Sequence, residues 1–313
     1  MPDRQAAGSQ RPNISLTIVG GAPGAGKSSL VRQLVTRATD RRVVAMVDRV
    51  PADAGDTASR WIVAAGDGAD ALTGLAERDD RPDQVIVECE SSADLRRAIG
   101  YGYMRGYRLD GTIVVTDPLA VQAVEHGIAG EWQLQKQAGV ADIVVLNKVD
   151  RVDERVSQAA QRTIEHLAPL AGILWAEHGR IAPALLLGPA APVDPLDGHV
   201  TVAPWSADFI PAHARRDRSG RGAGVSRARA NESHRTWCLV ADEPIDGRTF
   251  RRWLQAVPRG IVSGGGVVQL TDAMQHRHTF RFLGRRWRLE REQPWGDESP
   301  CTRAWVVAAG DVS

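Results

Sequence analysis

One short motif constrains the fold of this chain more than any other feature of its sequence. The residues Gly21 to Ser28 read GAPGAGKS and fit the pattern GxxxxGK[ST]. They follow the apolar, β-branched run Ile14–Val19 and open the helical pattern Lys27–Thr39. A glycine-rich turn between a buried strand and a helix is the setting in which this pattern binds phosphate. The motif therefore predicts an α/β sheet that presents a phosphate-binding loop.

Each residue type in this motif suits the binding of phosphate. Gly24 and Gly26 let the backbone curl so that several N–H groups point at one anion, and the following helix adds its positive end. We expect Lys27 to reach the β- and γ-phosphates and the Ser28 hydroxyl to bind Mg²⁺. The alternative is a glycine-rich turn without a ligand. The predicted nucleotide-binding residues here are Gly21, Gly24, Ala25, Gly26, Lys27, Ser28 and Ser29.

Short apolar runs alternate with helical patterns through the first two thirds of the chain. Such runs are typical of strands buried on both faces of a parallel sheet, so we predict a doubly wound, mostly parallel α/β domain. The predicted strands are Ile14–Val19, Arg42–Val47, Gln84–Val87, Gly111–Thr116, Asp142–Leu146 and Gly172–Ala176. The predicted helices are Lys27–Thr39, Ser92–Tyr103, Pro118–Gln137 and Asp153–Leu167.

The alternation stops near residue 210. We predict a flexible N-terminus over 1–13, a P-loop domain over 14–210, a flexible basic linker over 211–234 and a smaller α+β domain over 235–313. The linker could instead be a nucleic-acid-binding arm, but no aromatic residue is interleaved with its arginines. The predicted elements of the last domain are strands Thr236–Val240, Gly266–Leu270, Thr279–Leu283 and Ala304–Ala308, and helix Asp246–Ala256.

Tryptophan is concentrated in the predicted C-terminal domain. We expect these side chains to build a core that compensates for the small size of the domain. The alternative is an exposed aromatic patch that docks a client protein. The residues are Trp237, Trp253, Trp287, Trp295 and Trp305.

Composition argues against several classes of protein. The net charge of +1 indicates neither a nucleic-acid partner nor an acidic membrane surface. No apolar run approaches the ~20 residues that span a bilayer, and the polar N-terminus lacks the apolar core of a secretion signal. Three widely spaced cysteines form neither a disulfide framework nor a CxxC knuckle. We therefore expect a soluble protein in the reducing cytoplasm.

A second motif predicts which base is bound. The strand Asp142–Leu146 ends in Asn147-Lys148-Val149-Asp150, the pattern NKxD. Ligands of open α/β sheets bind beyond the carboxyl ends of the strands, so this segment and the phosphate loop share one edge. Asp150 offers two acceptor oxygens to the N1–H and 2-amino groups of guanine, whereas adenine has no matching donors. Lys148 can cover the base and Asn147 can brace the loop, so we predict GTP rather than ATP. The alternative is that Asp150 caps the next helix.

Glu88 is the candidate for a catalytic carboxylate. It follows the strand Gln84–Val87 beside the phosphate loop, where a carboxylate can hold Mg²⁺, directly or through water, or position the attacking water. Glu90 is a competitor, and a carboxylate facing solvent is the alternative. We predict Lys27 and Glu88 as the catalytic residues, and Ser28 and Glu88 as the Mg²⁺ ligands.

These motifs give the sequence a resemblance to the CobW-like GTPases, a family that includes cobalamin-synthesis CobW, zinc metallochaperones and nitrile hydratase activators. The resemblance implies GTP hydrolysis coupled to delivery of a metal or assembly of a metalloprotein, with a client protein as partner. The segments that carry it are Gly24–Ser28, Glu88–Asp94, Leu109–Asp117, Gln135–Asp150, Arg251–Leu254 and Gly266–Leu270.

The sequence also departs from that family. Members that handle metal usually carry a C-x-C-C motif where Val63–Asp70 has no cysteine. Asp48–Pro51 replaces an NEFG-like turn, Ser91 stands where the family has glycine, and Ser263–Gly266 replaces an RAKG segment. A transition metal such as Zn²⁺ or Co²⁺ is therefore implied by kinship, but the ligands do not support it.

Three residues outside the missing motif could contribute metal ligands. His276 and His278 are a close pair, for which the polar face of a strand is the favoured interpretation. Cys89 follows a strand beside the nucleotide site, where a buried and inert thiol is favoured over a ligand.

Two other functions stay open at this point. The changes at Ser91 and Asp48 could leave a nucleotide-gated binding module with little hydrolysis. A P-loop kinase for a small molecule is the third possibility, although the NKxD segment and the lack of an evident lid argue against it.

Overall fold

The structure of the protein is a computed structural model that describes residues 13–52, 54–64, 68–125, 131–188, 200–207, 209, 234–258 and 260–309. Of the predicted flexible N-terminus only Asn13 is described, and of the predicted basic linker only His234. The rest of both segments lies outside the described residues. In the described residues no helix is long and apolar enough to cross a membrane.

Seven parallel strands form the first sheet. They are β1 (Ile14–Gly21), β2 (Val43–Val47), β3 (Trp61–Val63), β4 (Gln84–Glu88), β5 (Tyr107–Thr116), β6 (Ile143–Leu146) and β7 (Gly172–Trp175). Their spatial order is β3-β2-β4-β1-β5-β6-β7. The predicted doubly wound parallel sheet is confirmed. Because β1 lies at the centre, the loop that follows it emerges at the middle of the carboxyl edge of the sheet.

Helices surround this sheet on both faces. They are α1 (Lys27–Arg37), α2 (Ala69–Glu77), α3 (Ser92–Tyr101), α4 (Pro118–Glu125), α5 (Glu131–Ala138), α6 (Glu154–Leu167) and α7 (Pro183–Leu187). Alternate strand residues enter different cores: Val43 and Ala45 pack in one cluster, whereas Val44 and Met46 pack in another. This alternation follows from the two-residue period of a strand, and it explains why these strands are apolar almost throughout.

The second sheet has six strands in the order β12-β11-β10-β13-β9-β8. It is antiparallel except for the parallel pair β8–β9. One helix, α8 (Gly247–Gln255), packs on it through Phe250 and Trp253. The strands are β8 (Val200–Pro204), β9 (His234–Ala241), β10 (Ile261–Val268), β11 (His276–Leu283), β12 (Arg286–Pro294) and β13 (Thr302–Ala309).

Tryptophan side chains contribute to the core of the second sheet, as predicted. Trp237, Trp253, Trp295 and Trp305 are buried. Trp287 is half-buried and packs against the same cluster. The alternative of an exposed patch is therefore wrong for the four buried residues.

Several elements differ from the sequence-based predictions. The predicted helix Pro118–Gln137 is described as two helices, α4 and α5, with residues 126–130 outside the described part. The strand predicted at Gly266–Leu270 begins five residues earlier, at Ile261. The strand β8 lies before residue 210, where we ended the first domain, yet it pairs with β9 of the second sheet. The domain boundaries as a whole stay predictions. Five elements were not predicted: β3, α2, α7, β8 and β12.

The two sheets share one apolar core. Leu185, Leu186 and Leu187 of α7 are fully buried in a cluster that also holds Leu34 of α1 and Val262 of β10. The short helix α7 thus packs between the first sheet and the second sheet. Full burial of a large apolar side chain stabilises the folded state by about 1.5–3 kcal/mol. This contact is therefore a substantial part of the stability.

Candidate nucleotide site

The loop Gly21–Ser28 requires glycine at its bends. Gly21 and Gly26 have φ values of 139° and 102°. A Cβ atom at position 21 would lie 2.0 Å from the carbonyl oxygen of Val115, and one at position 26 would lie 2.2 Å from Nδ2 of Asn147. Only glycine fits both the backbone angles and the close approach. The sequence pattern therefore corresponds to a steric requirement of this turn.

Lys27 lies inside the loop. Its side chain is buried, and its Nζ donates hydrogen bonds to the carbonyl oxygens of Gly21 at 3.1 Å and Ala22 at 3.2 Å. The first turn of α1 begins at the same residue. A positive charge and the positive end of a helix are thus concentrated at one point, which is the arrangement that attracts an anion.

Ser28 and Glu88 meet beside this loop. Glu88 ends β4, which lies next to β1, and its Oε1 accepts a hydrogen bond of 2.6 Å from the Ser28 hydroxyl. Hydroxyl and carboxylate oxygens are ligands that Mg²⁺ accepts, so the donor set fits that ion. Glu90, the competing candidate, is exposed.

The environment of Glu88 favours its neutral form. Burial raises the pKa of its carboxyl group, and the negative charges of Asp48 and Glu90 add to this effect. The Ser28 hydrogen bond and the Lys27 charge oppose it. A bound cation would oppose this shift, because a nearby positive charge favours the ionised carboxylate.

Ser91, which stands in place of a family glycine, begins α3. Its hydroxyl oxygen accepts a hydrogen bond from the backbone N–H of Asp94 at 3.1 Å, and its O–H donates to Oδ2 of Asp94 at 2.5 Å. The serine is therefore the N-cap of the helix. The neighbouring Cys89 is buried as expected, and burial raises the pKa of its thiol to about 12, which disfavours the reactive thiolate.

Asn147 joins the NKxD segment to the phosphate loop. Its side chain is 2% exposed. The Nδ2 group donates to the carbonyl oxygen of Ala25 at 2.9 Å, and Oδ1 accepts from the N–H of Gly179 at 2.9 Å. One amide thus fixes three segments of the carboxyl edge relative to one another.

Lys148 and Asp150 complete this segment. Lys148 has a left-handed backbone with φ 60°, and its Nζ lies 3.1 Å from Oδ2 of Asp117. Asp150 is an exposed residue whose side chain is 25% exposed, and its Oδ2 lies 3.7 Å from Nε2 of His178. The N-cap of α6 is Asp153, so the alternative in which Asp150 caps that helix is wrong.

Sequence reasoning missed two contributions to this edge. Asp117 follows β5 and contacts Lys148, while the turn Glu177–Arg180 follows β7 and supplies Gly179 and His178. The signal was positional: both segments come directly after predicted parallel strands, whose carboxyl ends meet at one edge.

No group of three or more His, Cys, Asp or Glu side chains that could hold a metal ion occurs among the described residues. His276 and His278 both lie on β11, where a bulge separates their partners on β12. His278 is buried, and burial lowers the pKa of its imidazole. The ring of His276 contacts the guanidinium of Arg291. Residues 65–67 of the segment without cysteine lie outside the described part.

A glycine-rich loop that encloses a lysine, placed after the central strand of a parallel sheet, defines the P-loop class of nucleotide-binding folds. Residues 63–174 match the family described as CobW/HypB/UreG, nucleotide-binding domain. Residues 234–310 match the cobalamin synthesis protein cobW C-terminal domain. These two matches, which cover separate parts of the chain, confirm the resemblance to the CobW family seen in the sequence.

Known proteins resemble the chain at low sequence identity. A zinc chaperone CobW from Sinorhizobium sp is 25% identical over 224 residues, which are 56% of this chain and 62% of that protein. The Zn(II)-bound YjiA GTPase from E. coli is 20% identical, covers 96% of this chain and 95% of its own, and has a TM-score of 0.45. HypB from Archaeoglobus fulgidus, a hydrogenase maturation factor, is 19% identical over 53% of this chain and 81% of its own, with a TM-score of 0.38.

Proposed function

We propose that the protein binds GTP with Mg²⁺ and hydrolyses it slowly, as a nucleotide-state switch in metal delivery or metalloprotein assembly. One observation carries the nucleotide assignment: Asn147 Nδ2 donates to the carbonyl oxygen of Ala25 at 2.9 Å. This hydrogen bond holds the NKxD segment against the phosphate loop. A nucleotide with its phosphates at Lys27 and its base at Asp150 would then follow one edge of the sheet.

The phosphate end of the nucleotide would lie in the loop. The Lys27 ammonium, now bonded to the carbonyl oxygens of Gly21 and Ala22, would exchange these partners for phosphate oxygens. Ser28 and Glu88 would hold Mg²⁺, which when bound neutralises charge on the phosphoryl groups. Glu88 would also orient the attacking water. Neither motif contains an arginine that could stabilise the developing charge, so we expect slow turnover.

The base would lie between the NKxD segment and the turn after β7. Asp150 would accept hydrogen bonds from the N1–H and 2-amino groups of guanine, and the Lys148 methylenes would cover the ring. The contact of Lys148 with Asp117 at 3.1 Å would keep that side chain extended over the base. An adenine in the same place would leave the partly buried Asp150 carboxylate without donors, which costs free energy.

The biological role is proposed from kinship. The chain has the domain pair of the CobW family, and a relative is named a zinc chaperone. We propose a client protein, either a metalloprotein or an enzyme of a metal pathway, and leave Zn²⁺ or Co²⁺ as cargo without an assigned ligand set. The three cysteines of the chain are unpaired, and a reducing cytoplasm would keep them so.

A second candidate function is a nucleotide-gated binding module with little hydrolysis. The Ser91 hydroxyl supports it, since it is committed to capping α3 through Asp94. A backbone that is fixed there by the cap would have less freedom to approach a γ-phosphate. This module would bind GTP tightly and release almost no phosphate, even with its partner present.

Phosphate release from GTP tests the proposal, with wild type compared with Lys27→Ala and Lys136→Ala. Of the three lysines in the chain, Lys136 alone lies outside both motifs, so it is the matched control. We expect Mg²⁺-dependent release by wild type and by the control, and a rate lower by at least about 10²-fold in Lys27→Ala. Equal rates in all three proteins would refute hydrolysis at this loop. Tight GTP binding without phosphate release would favour the second candidate.

A further inference from the structure

A cavity of ≈ 270 Å³ lies where the second sheet meets the amino end of β5. Its walls come from the segment after α3, from the start of β5 and from the hairpin β11–β12. The nucleotide site lies at the carboxyl ends of the same parallel strands, so the two sites are at opposite edges of the first sheet. No part of the proposed nucleotide chemistry uses this cavity.

Four arginines line the cavity: Arg108, Arg281, Arg286 and Arg288. Their carboxylate partners are fewer. Asp110, with a side chain 1% exposed, lies 2.6 Å from Arg281 and 3.0 Å from Arg288. Arg108 contacts Glu290, and Arg286 lies 2.7 Å from Asp142. Within the described ranges, four guanidinium groups thus face three carboxylates, and one positive charge has no counter-charge of its own.

One carboxylate is shared by two arginines. Asp110 forms short ion pairs with Arg281 and Arg288, but within the described part of the chain its two oxygens and the buried Nη1 of Arg288 make no contact with hydrogen-bond geometry. Burial lowers the pKa of Arg288, and the like charges of Arg108 and Arg281 lower it further against the effect of Asp110. A partly desolvated cation with incomplete pairing is stabilised by an added anion.

Two aromatic side chains stand beside these charges. Tyr103 is 80% exposed at the rim, and the indole of Trp287 is half-buried in the lining. The volume is close to the lower end of the ~300–1,000 Å³ range of ligand pockets, which suits a small metabolite. Planar guanidinium groups match carboxylate and phosphate oxygens in geometry better than ammonium groups do.

We propose that this cavity binds a small organic oxyanion, carrying a carboxylate or a phosphate, between the guanidinium groups of Arg288 and Arg108. The ligand would supply the missing negative charge. Because it would contact both the first sheet and the hairpin β11–β12, it would also fasten the second sheet to the first. The competing explanation is that the arginines only hold the two sheets together.

Titration calorimetry of the full chain at low ionic strength tests this proposal, with sodium phosphate and sodium malonate as probes and sodium chloride as the salt control. The malonate and phosphate arms distinguish a carboxylate ligand from a phosphate ligand. The test variants are Arg288→Met and the milder Arg288→Lys, which keeps a charge beside Asp110 if the first variant fails to fold. Arg291→Met removes the same charge elsewhere on β12. Lys27→Ala removes phosphate binding at the loop Gly21–Ser28.

We expect Lys27→Ala to bind one equivalent of at least one oxyanion. Wild type and Arg291→Met should bind this equivalent with the same affinity, in addition to any phosphate held at the loop Gly21–Ser28. Both Arg288 variants should bind the oxyanion at the cavity at least about ten-fold more weakly. Tyr103→Ala, at an exposed position, should weaken this binding without affecting folding. Absence of oxyanion binding to wild type up to about 10 mM would overturn the proposal. Malonate binding that survives in the Arg288 variants, or phosphate binding that survives in them once Lys27→Ala is added, would overturn it as well. Oxyanion binding that is lost in Lys27→Ala alone would also overturn it. The Lys27→Ala arm keeps this result separate from that of the proposed GTPase function.

Discussion

At the scale of single residues, the candidate site separates structural from chemical roles. Asn147 is buried and has hydrogen bonds at both ends of its amide, so it holds the loops together. Glu88 and Asp150 are different, because each retains acceptor oxygens near the place where a ligand would lie. A substitution of either carboxylate should change hydrolysis or nucleotide binding with little effect on folding.

Glu88→Gln is expected to lower Mg²⁺-dependent GTP hydrolysis by about 10²-fold, because the amide loses the charge that holds the ion. The matched control is Glu90→Gln, which removes the same charge from an exposed neighbour. Steady-state phosphate release over a range of Mg²⁺ concentrations measures both. A larger loss in Glu90→Gln than in Glu88→Gln would mean that the wrong carboxylate was assigned.

Asp150→Asn is expected to exchange base preference. An asparagine amide can donate to the 2-oxo group of xanthine but not to the 2-amino group of guanine, so affinity should fall for GDP and rise for xanthosine diphosphate, with a combined change of about 10²-fold. Asp153→Asn is the control, since Asp153 caps α6 without a side-chain hydrogen bond. Competition binding with the two nucleotides gives the ratio, and an unchanged ratio would contradict the role of Asp150.

At the scale of elements, the sequence predicted those strands and helices that have a regular hydrophobic pattern. Strands buried on both faces are apolar throughout, and all six predicted in the first sheet are present. The strand β12 was missed because most residues of Arg286–Pro294 are charged or polar, and only Trp287 and Leu289 are large apolar residues. The prediction missed the first part of strand β10, because consecutive glycines are typical of loops. A Cβ atom on Gly264 would lie 2.4 Å from the ring of Phe282, so close packing, invisible in one sequence, explains that glycine.

The short helix α7 was also missed, yet it joins the two sheets. Leu185→Ala is expected to lower the free energy of unfolding by about 2–5 kcal/mol, because the side chain is fully buried between them. Leu170→Ala, at a side chain 71% exposed, should change it by less than about 0.5 kcal/mol. Urea unfolding followed by circular dichroism measures the difference. Equal stability of the two variants would show that α7 does not hold the sheets together.

At the scale of the whole molecule, the motifs predicted that the phosphate loop and the NKxD segment lie close together. They did not predict every segment that contributes to the carboxyl edge of the first sheet. The phosphate loop and the NKxD segment come from separate strands, and the parallel topology alone brings them together. The turn Glu177–Arg180 carries no motif, so its contact with Asn147 depends on β7 lying beside β6. The ion pairs between the sheets depend on side chains far apart in sequence and could not be inferred from either segment.

Asp110→Asn tests those ion pairs. Loss of the charge leaves the guanidinium groups of Arg281 and Arg288 unpaired between the sheets, and we expect a loss of about 3 kcal/mol in the free energy of unfolding. The control is Asp272→Asn, whose ion pair with Arg251 is exposed and should contribute less than about 1 kcal/mol. Urea unfolding compares them, and an unchanged stability of Asp110→Asn would contradict the importance of the network.

The most direct test of the central claim is calorimetric titration of the full chain with GDP and with ADP in the presence of Mg²⁺. An anion-binding loop around Lys27 and a guanine-selective carboxylate at Asp150 predict one equivalent of GDP bound, with affinity at least about 10²-fold higher than for ADP and lost in Lys27→Ala. Equal affinity for the two nucleotides, or no binding of either, would contradict a guanine-nucleotide site at this edge of the sheet.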